Sequence, residues 1–140
     1  VYKIWQIKRG EDMAGISLEI MGLNEVMADL QEIPQRTNRA MNGALREGAE
    51  VAKKAEISHL NRSDKDHTHL IDDITIGNIS TVKGVKSIDI GPTKKTAWRA
   101  RFLENGTSKM KPYPFVLPAG NESEKEITDI MTEAISESIR

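Results

Sequence analysis

The sequence predicts an α+β fold: a mainly antiparallel sheet packed by a long central helix and a C-terminal amphipathic helix. Three observations carry this expectation. Gly15 to Met21 alternates, with Ile16, Leu18 and Ile20 on one face and Ser17 and Glu19 on the other, the period of a half-buried strand. Between Pro34 and about Ile57, Met41, Leu45, Gly48, Ala52 and Ala55 form an apolar, small-residue stripe at helical spacing. Towards the C-terminus, Ile127, Ile130, Met131, Ala134, Ile135 and Ile139 line one face, with Asp, Glu, Ser and Thr opposite.

The remaining elements follow in order. After Gly22, the spacing of Leu23, Val26, Met27 and Leu30 predicts a short helix ending near Ile33, since Pro34 disfavours helical geometry in the residue before it. Pro34 then suits the first turn of the long helix. Gly43 and Gly48 each cost that helix roughly 1 kcal/mol relative to Ala, so either another chain segment approaches closely there or the helix is merely weakened. Ser58 to Thr68 is polar and rich in turn formers, which predicts an exposed, mobile loop. Two strands are expected around 71–79 and 82–90, the second with Lys86, Ile88 and Ile90 on one face and Ser87 and Asp89 on the other. The turn near Asn78–Thr81 and the interruption at Gly84 leave their register open. Trp98 to Asn105 forms a compact segment leading to Gly106 and a proline-punctuated extended stretch from Pro112 to Pro118. Asn121 with Glu124, or Ser123 with Glu126, would cap the last helix.

Length fits one domain, assigned to 13–140. Residues 1–12 are set apart as a leader or arm: Lys8 to Met13 back-translates to a purine-rich ribosome-binding sequence followed by ATG, which would make Met13 a start. The other reading is an edge strand, because Tyr2, Ile4, Trp5 and Ile7 favour β structure. No apolar run is long enough to span a bilayer, and a soluble intracellular product is expected. The formal net charge of −1 argues against a dedicated DNA binder, which gains most of its affinity from a basic excess. Absence of cysteine removes disulfides, thiolate catalysis and Cys-ligated zinc. Met27, Met41 and Met131 fall on apolar faces, so core packing accounts for them.

Two clusters could carry chemistry. His59, Asp64, Asp66, His67, His69, Asp72 and Asp73 include a His-x-His with nearby carboxylates, the donor set of a zinc-type site and of a metal-dependent enzyme built on His67 and His69. The simpler reading is a solvated loop made of turn formers. Lys94, Lys95, Arg99 and Arg101 surround Trp98, a pattern that can grip nucleic acid. Here the simpler reading is a solvated hairpin and the start of the next element, with Trp98 packed inward. P-loop, dinucleotide-binding, nucleophile-elbow and His-Glu-x-x-His sequences are absent, so neither enzyme activity nor a cofactor is expected.

Ala97-Trp98-Arg99-Ala100-Arg101-Phe102-Leu103-Glu104-Asn105-Gly106-Thr107-Ser108-Lys109-Met110, followed by Pro112 to Ala119, resembles the signature of the gene-product-ten-like family of tailed phages, tail-completion and head–tail joining proteins. The family pattern is an aromatic, Ala-Arg-Phe/Tyr-Leu/Val-Glu-x-Gly-Thr-Ser-Lys, then Pro-x-x-Pro-Phe-x-x-Pro-Ala and a terminal amphipathic helix. Ile16–Leu30, Ala44–Ala55 and Ile88–Pro92 are similar to its earlier elements, so the resemblance covers nearly everything after Met13. One departure is Thr68-His69-Leu70, where the family often has Thr-Gly-x-Leu.

The resemblance implies a structural virion protein at the head–tail junction, made in the host cytoplasm. It implies a homo-oligomeric ring, a hexamer, whose partners are tail-terminator or tail-tube proteins on one side and head-closure or connector proteins on the other. Genomic DNA would pass through the lumen, and no membrane is involved. Subunit contacts are expected in the 58–69 loop, the 105–118 segment and the N-terminal arm. The residues singled out are Arg101, Phe102, Glu104, Gly106, Thr107, Ser108, Lys109, Pro112, Pro114, Phe115, His67 and His69, with Lys94, Lys95 and Arg99 as DNA contacts. The alternative is a small nucleic-acid-binding protein using the Lys94–Arg101 patch.

Overall fold

The computed structural model describes residues 5–8, 15–20, 35–60, 69–82 and 85–138. The helix expected at 23–33 and Ile139 lie outside the described residues. The elements are β1 Trp5–Lys8, β2 Ile16–Ile20, helix α1 Gln35–Ser58, a 3-10 turn Leu70–Asp72, β3 Ile74–Ile76, β4 Ser80–Val82, β5 Val85–Pro92, α2 Ala97–Asn105 and α3 Val116–Ser138. Mixed α+β architecture with an open antiparallel sheet is what these elements build.

Every strand pair is antiparallel, in the order β1-β2-β5-β3. Leu18 faces Ile88 across the β2–β5 ladder, and Ile16 faces Ile90. β4 also pairs with β5, Thr81 opposite Lys86. Because β2 already occupies one edge of β5 at these positions, β3 and β4 share the other edge, end to end. The two strands expected at 71–79 and 82–90 are therefore corrected. Ile71 belongs to the 3-10 turn, the first strand is split by 77–79, and β5 continues through Gly91 to Pro92. Pro92 can end an inner strand because it needs no amide there on its free side. Trp5–Lys8 pairs along β2 as an edge strand.

The inner face of the sheet follows the alternation read from sequence. Ile16, Leu18 and Ile20 are buried, as are Lys86, Ile88 and Ile90, whereas Asp89 is exposed. Ser17 is buried too, because β2 lies between two strands. Lys86 reaches Asn42 on α1 at 2.7 Å. Burial lowers its pKa, and the charge of Arg46 lowers it further.

α1 lies on that face, and α3 packs along α1. Gly48 sits at the crossing: a Cβ there would stand 3.1 Å from Leu18 and 3.5 Å from both Ile127 and Met131. It is the close approach that a glycine permits; Gly43, by contrast, faces open space. Met41, Leu45, Ala49 and Ala52 complete the buried stripe, and Glu56 continues it one turn on. Leu60 is also buried, so the segment expected to be a loop from Ser58 begins with the end of α1 and a core residue; 61–68 lie outside the described residues. Met41 and Met131 are core residues as expected, and Met27 is outside the described residues.

α3 starts at Val116, ahead of both predicted caps, Asn121 and Ser123. Pro118 falls in its first turn, where a missing amide costs nothing, so only 112–114 of the proline-punctuated stretch is extended. Ser123 bonds back to the Ala119 carbonyl at 2.7 Å instead of capping.

Candidate functional site

The surface around α2 is built from two carboxylates that organise backbone. Asp73, just after the 3-10 turn, accepts from the Thr93 amide at 3.1 Å, the Thr93 hydroxyl at 2.6 Å and the Thr96 hydroxyl at 2.6 Å, all on one oxygen. Thr96 is fully buried and spends its hydroxyl here rather than on capping α2. Burial raises the Asp73 pKa, but bonds from Thr93 and Thr96 and the charge of Lys95 outweigh it and hold the carboxyl below its usual value. This node fixes where α2 begins.

Glu104, on the last turn of α2, does the same for α3. Its carboxylate accepts from the amides of Phe115 at 2.8 Å, Val116 at 2.9 Å and Leu117 at 3.0 Å. Those are amides that a helix start cannot satisfy internally, and a negative charge there also meets the positive end of the helix dipole. Ten residues loop between carboxylate and helix. Gly106 turns the chain with φ +73, where a Cβ would strike the Met110 carbonyl and Pro112 at 2.9 Å. Thr107 and Met110 then pair, and the Tyr113 amide donates to the Leu103 carbonyl at 2.7 Å. Phe115, fully buried, anchors the return.

Behind this loop Glu56 is completely buried, and neither of its oxygens has a hydrogen-bond partner. Burial pushes its pKa up to about 8; the Ile16 amide, short of hydrogen-bond geometry, lowers it in part, and the Glu104 charge raises it.

On the outer side of α2, Trp98 is 52% and Phe102 48% exposed, their rings edge to face at 5.9 Å. The Arg99 guanidinium lies 5.6 Å from the Trp98 ring centre. An inward-packed Trp98 is thus corrected: the inner face of this short helix is taken by Thr96, Ala100 and Leu103, and positions 98 and 102 point away from it. Lys94, Lys95, Arg101, Thr107, Ser108, Lys109, Pro112 and Pro114 are exposed, Arg99 is half-buried, and Met110, Tyr113 and Leu117 add exposed apolar surface. Among the residues singled out from sequence, Glu104, Gly106 and Phe115 hold this surface together from within.

His67, Asp64 and Asp66 lie outside the described residues. His59 bonds Glu122 of α3 at 2.6 Å, half-buried His69 precedes the 3-10 turn, and Asp73 is committed to Thr93 and Thr96. Among the described residues no three His, Cys, Asp or Glu side chains are grouped to hold a metal, and no helix is long and apolar enough to cross a membrane.

Sequence reasoning missed the cap and the buried acid. Glu104 stood in the signature without a structural role. Glu56 could have been found, because it falls four residues after Ala52 on the buried stripe of α1.

Residues 24–106, more than half of the chain, match the family model HK97-gp10_like, described as "Bacteriophage HK97-gp10, putative tail-component". The chain belongs to this family. Its role is that of a phage structural, tail-related protein. The HK97-gp10-like match takes in α1, the strands from β3 to β5 and all of α2, and ends at the Gly106 turn. Thr107 to Lys109 and the Pro112–Phe115 block, on which the resemblance partly rested, lie beyond it. No curated protein and no solved structure matches the chain.

Proposed function

We propose that the chain is a tail-completion, head–tail joining subunit, forming a ring of six between the tail and the head-closure proteins with a lumen for DNA. The observation that carries this reading is the family's tail-related role together with the build of the 93–117 surface. Two carboxylates and a positive-φ glycine fix a short helix and a loop so that aromatic and basic side chains are presented outward. Such an arrangement displays a contact surface; it does not converge polar groups into a cleft. Head-to-tail contacts repeated about an axis close into a ring. Subunit contacts fall in this reading on the 58–69 loop, the 105–118 segment and the N-terminal arm.

The test is electron microscopy of a phage lysate in which the gene carries an early stop codon. Filled heads beside unattached tails, or tails with malformed upper ends, are the expected result. Normal infectious particles would overturn the proposal. A second reading, nucleic-acid binding through Lys94, Lys95, Arg99 and Arg101, is favoured by one observation, the outward-facing Trp98.

A further inference from the structure

Charge is divided between two regions of the fold. From Lys94 to Lys111, six basic residues stand against one acid, and that acid, Glu104, is bonded to the start of α3. Along α3, six exposed acids, Glu122 to Glu137, stand against Lys125 alone. Each region also has a shape. The basic one carries the Trp98–Phe102 pair as a ridge, with Arg99 against the indole. The acidic one borders a groove of about 350 Å³ between α1 and α3, with Val51 and Ala55 in its lining, Lys54 on its α1 side, and Glu126 and the His59-bonded Glu122 on its α3 side. An edge-to-face aromatic pair flanked by arginines is the composition of a binding hot spot.

We propose that the Trp98–Phe102 ridge of one copy seats in the α1–α3 groove of the next, basic flank against the acidic face of α3. This rests on the ring reading above and supplies its contact. The chain holds both halves of the complementary pair and is nearly neutral as a whole, so a second copy satisfies both faces at once. Ridge and groove are different surfaces, so the contact is head-to-tail and can repeat. Duplex DNA would meet the ridge but leave the groove and acidic face unused.

Because the chain contains no cysteine, the contact can be trapped. Asn105→Cys places a thiol one turn beyond Phe102 on the same side of α2, and Ser58→Cys places one in the groove; both positions are exposed. Mixed and oxidised, the two proteins are expected to form a disulfide-linked dimer roughly tenfold faster than Asn105→Cys mixed with Gly43→Cys, since docking holds the thiols together. Trp98→Ala, an exposed change, is expected to remove that advantage. Arg101→Glu is expected to do so as well, and Glu126→Arg in the groove partner to restore it; recovery by a second charge reversal separates a lost contact from a misfolded protein. Equal rates for groove and control thiols would overturn the proposal. If native mass spectrometry then shows a ring of the unmodified protein, the interface is wrong and the ring stands; if it shows monomers only, both fall. Salt-dependent retention of duplex DNA by the ridge, lost in Trp98→Ala and unaccompanied by the cross-link, would assign the surface to nucleic acid and overturn it equally.

Discussion

Glu104→Ala is expected to lower stability by about 3 kcal/mol and to release the first turn of α3. Three amides, those of Phe115, Val116 and Leu117, share this carboxylate. Hydrogen bonds to a charged group contribute about 1.5–3 kcal/mol, and a lost cap alone costs about 1 kcal/mol. Bonds sharing one carboxylate do not add in full, which keeps the total at about 3 kcal/mol. Glu104→Gln retains one acceptor oxygen and should lose roughly half as much. The measurement is the urea midpoint together with hydrogen exchange at the three amides. Exchange that stays slow in the alanine variant would contradict the capping role.

The second large effect depends on pH. Glu56 is buried without a hydrogen-bond partner, and its pKa is raised from an ordinary 4.5 to about 8. Its folded-state value thus exceeds the unfolded one, so folding takes up a proton. Stability from this group is complete below about 4.5 and is lost as pH rises through about 8. Every tenfold gain in proton affinity corresponds to about 1.4 kcal/mol, so the fall across that window amounts to several kcal/mol as an upper bound. Glu56→Gln keeps the shape and removes the titration. The variant should match the parent near pH 5 and be more stable by a few kcal/mol at pH 9, read from thermal midpoints along a pH series. Parallel curves for the two proteins would contradict the burial of an ionisable acid here. Because the Glu104 charge helps to raise this pKa, Glu104→Gln should also move the Glu56 transition to lower pH.

The two carboxylates explain what could and could not be read from the residues alone. Periodicity located β2, α1 and α3 because each buries one face, and a face leaves a repeat in the sequence. The α+β arrangement followed from their order. Gly106 was marked as the end of the 98–105 segment, and its positive φ makes the turn there. The beginning of α3 was not, because its cap is neither Asn121 nor Ser123 but a residue from the preceding helix, brought across a ten-residue loop. Nor was the role of Asp73, ahead of the short β3, which looked like a loop acid or a metal ligand; it depends on Thr93 and Thr96, twenty and more residues away. Trp98 was misplaced inward since a nine-residue helix offers too few turns for a pattern, and Thr96, Ala100 and Leu103 fill its inner face instead. Resemblance supplied what pattern could not: the family, which the match over residues 24–106 establishes, and with it a tail-related role.

Immunogold electron microscopy of mature particles, with antibody raised against this protein, tests the central claim most directly. Label confined to the junction between head and tail is the predicted result. Label at the tail tip or along the tube, or particles that carry none, would contradict it.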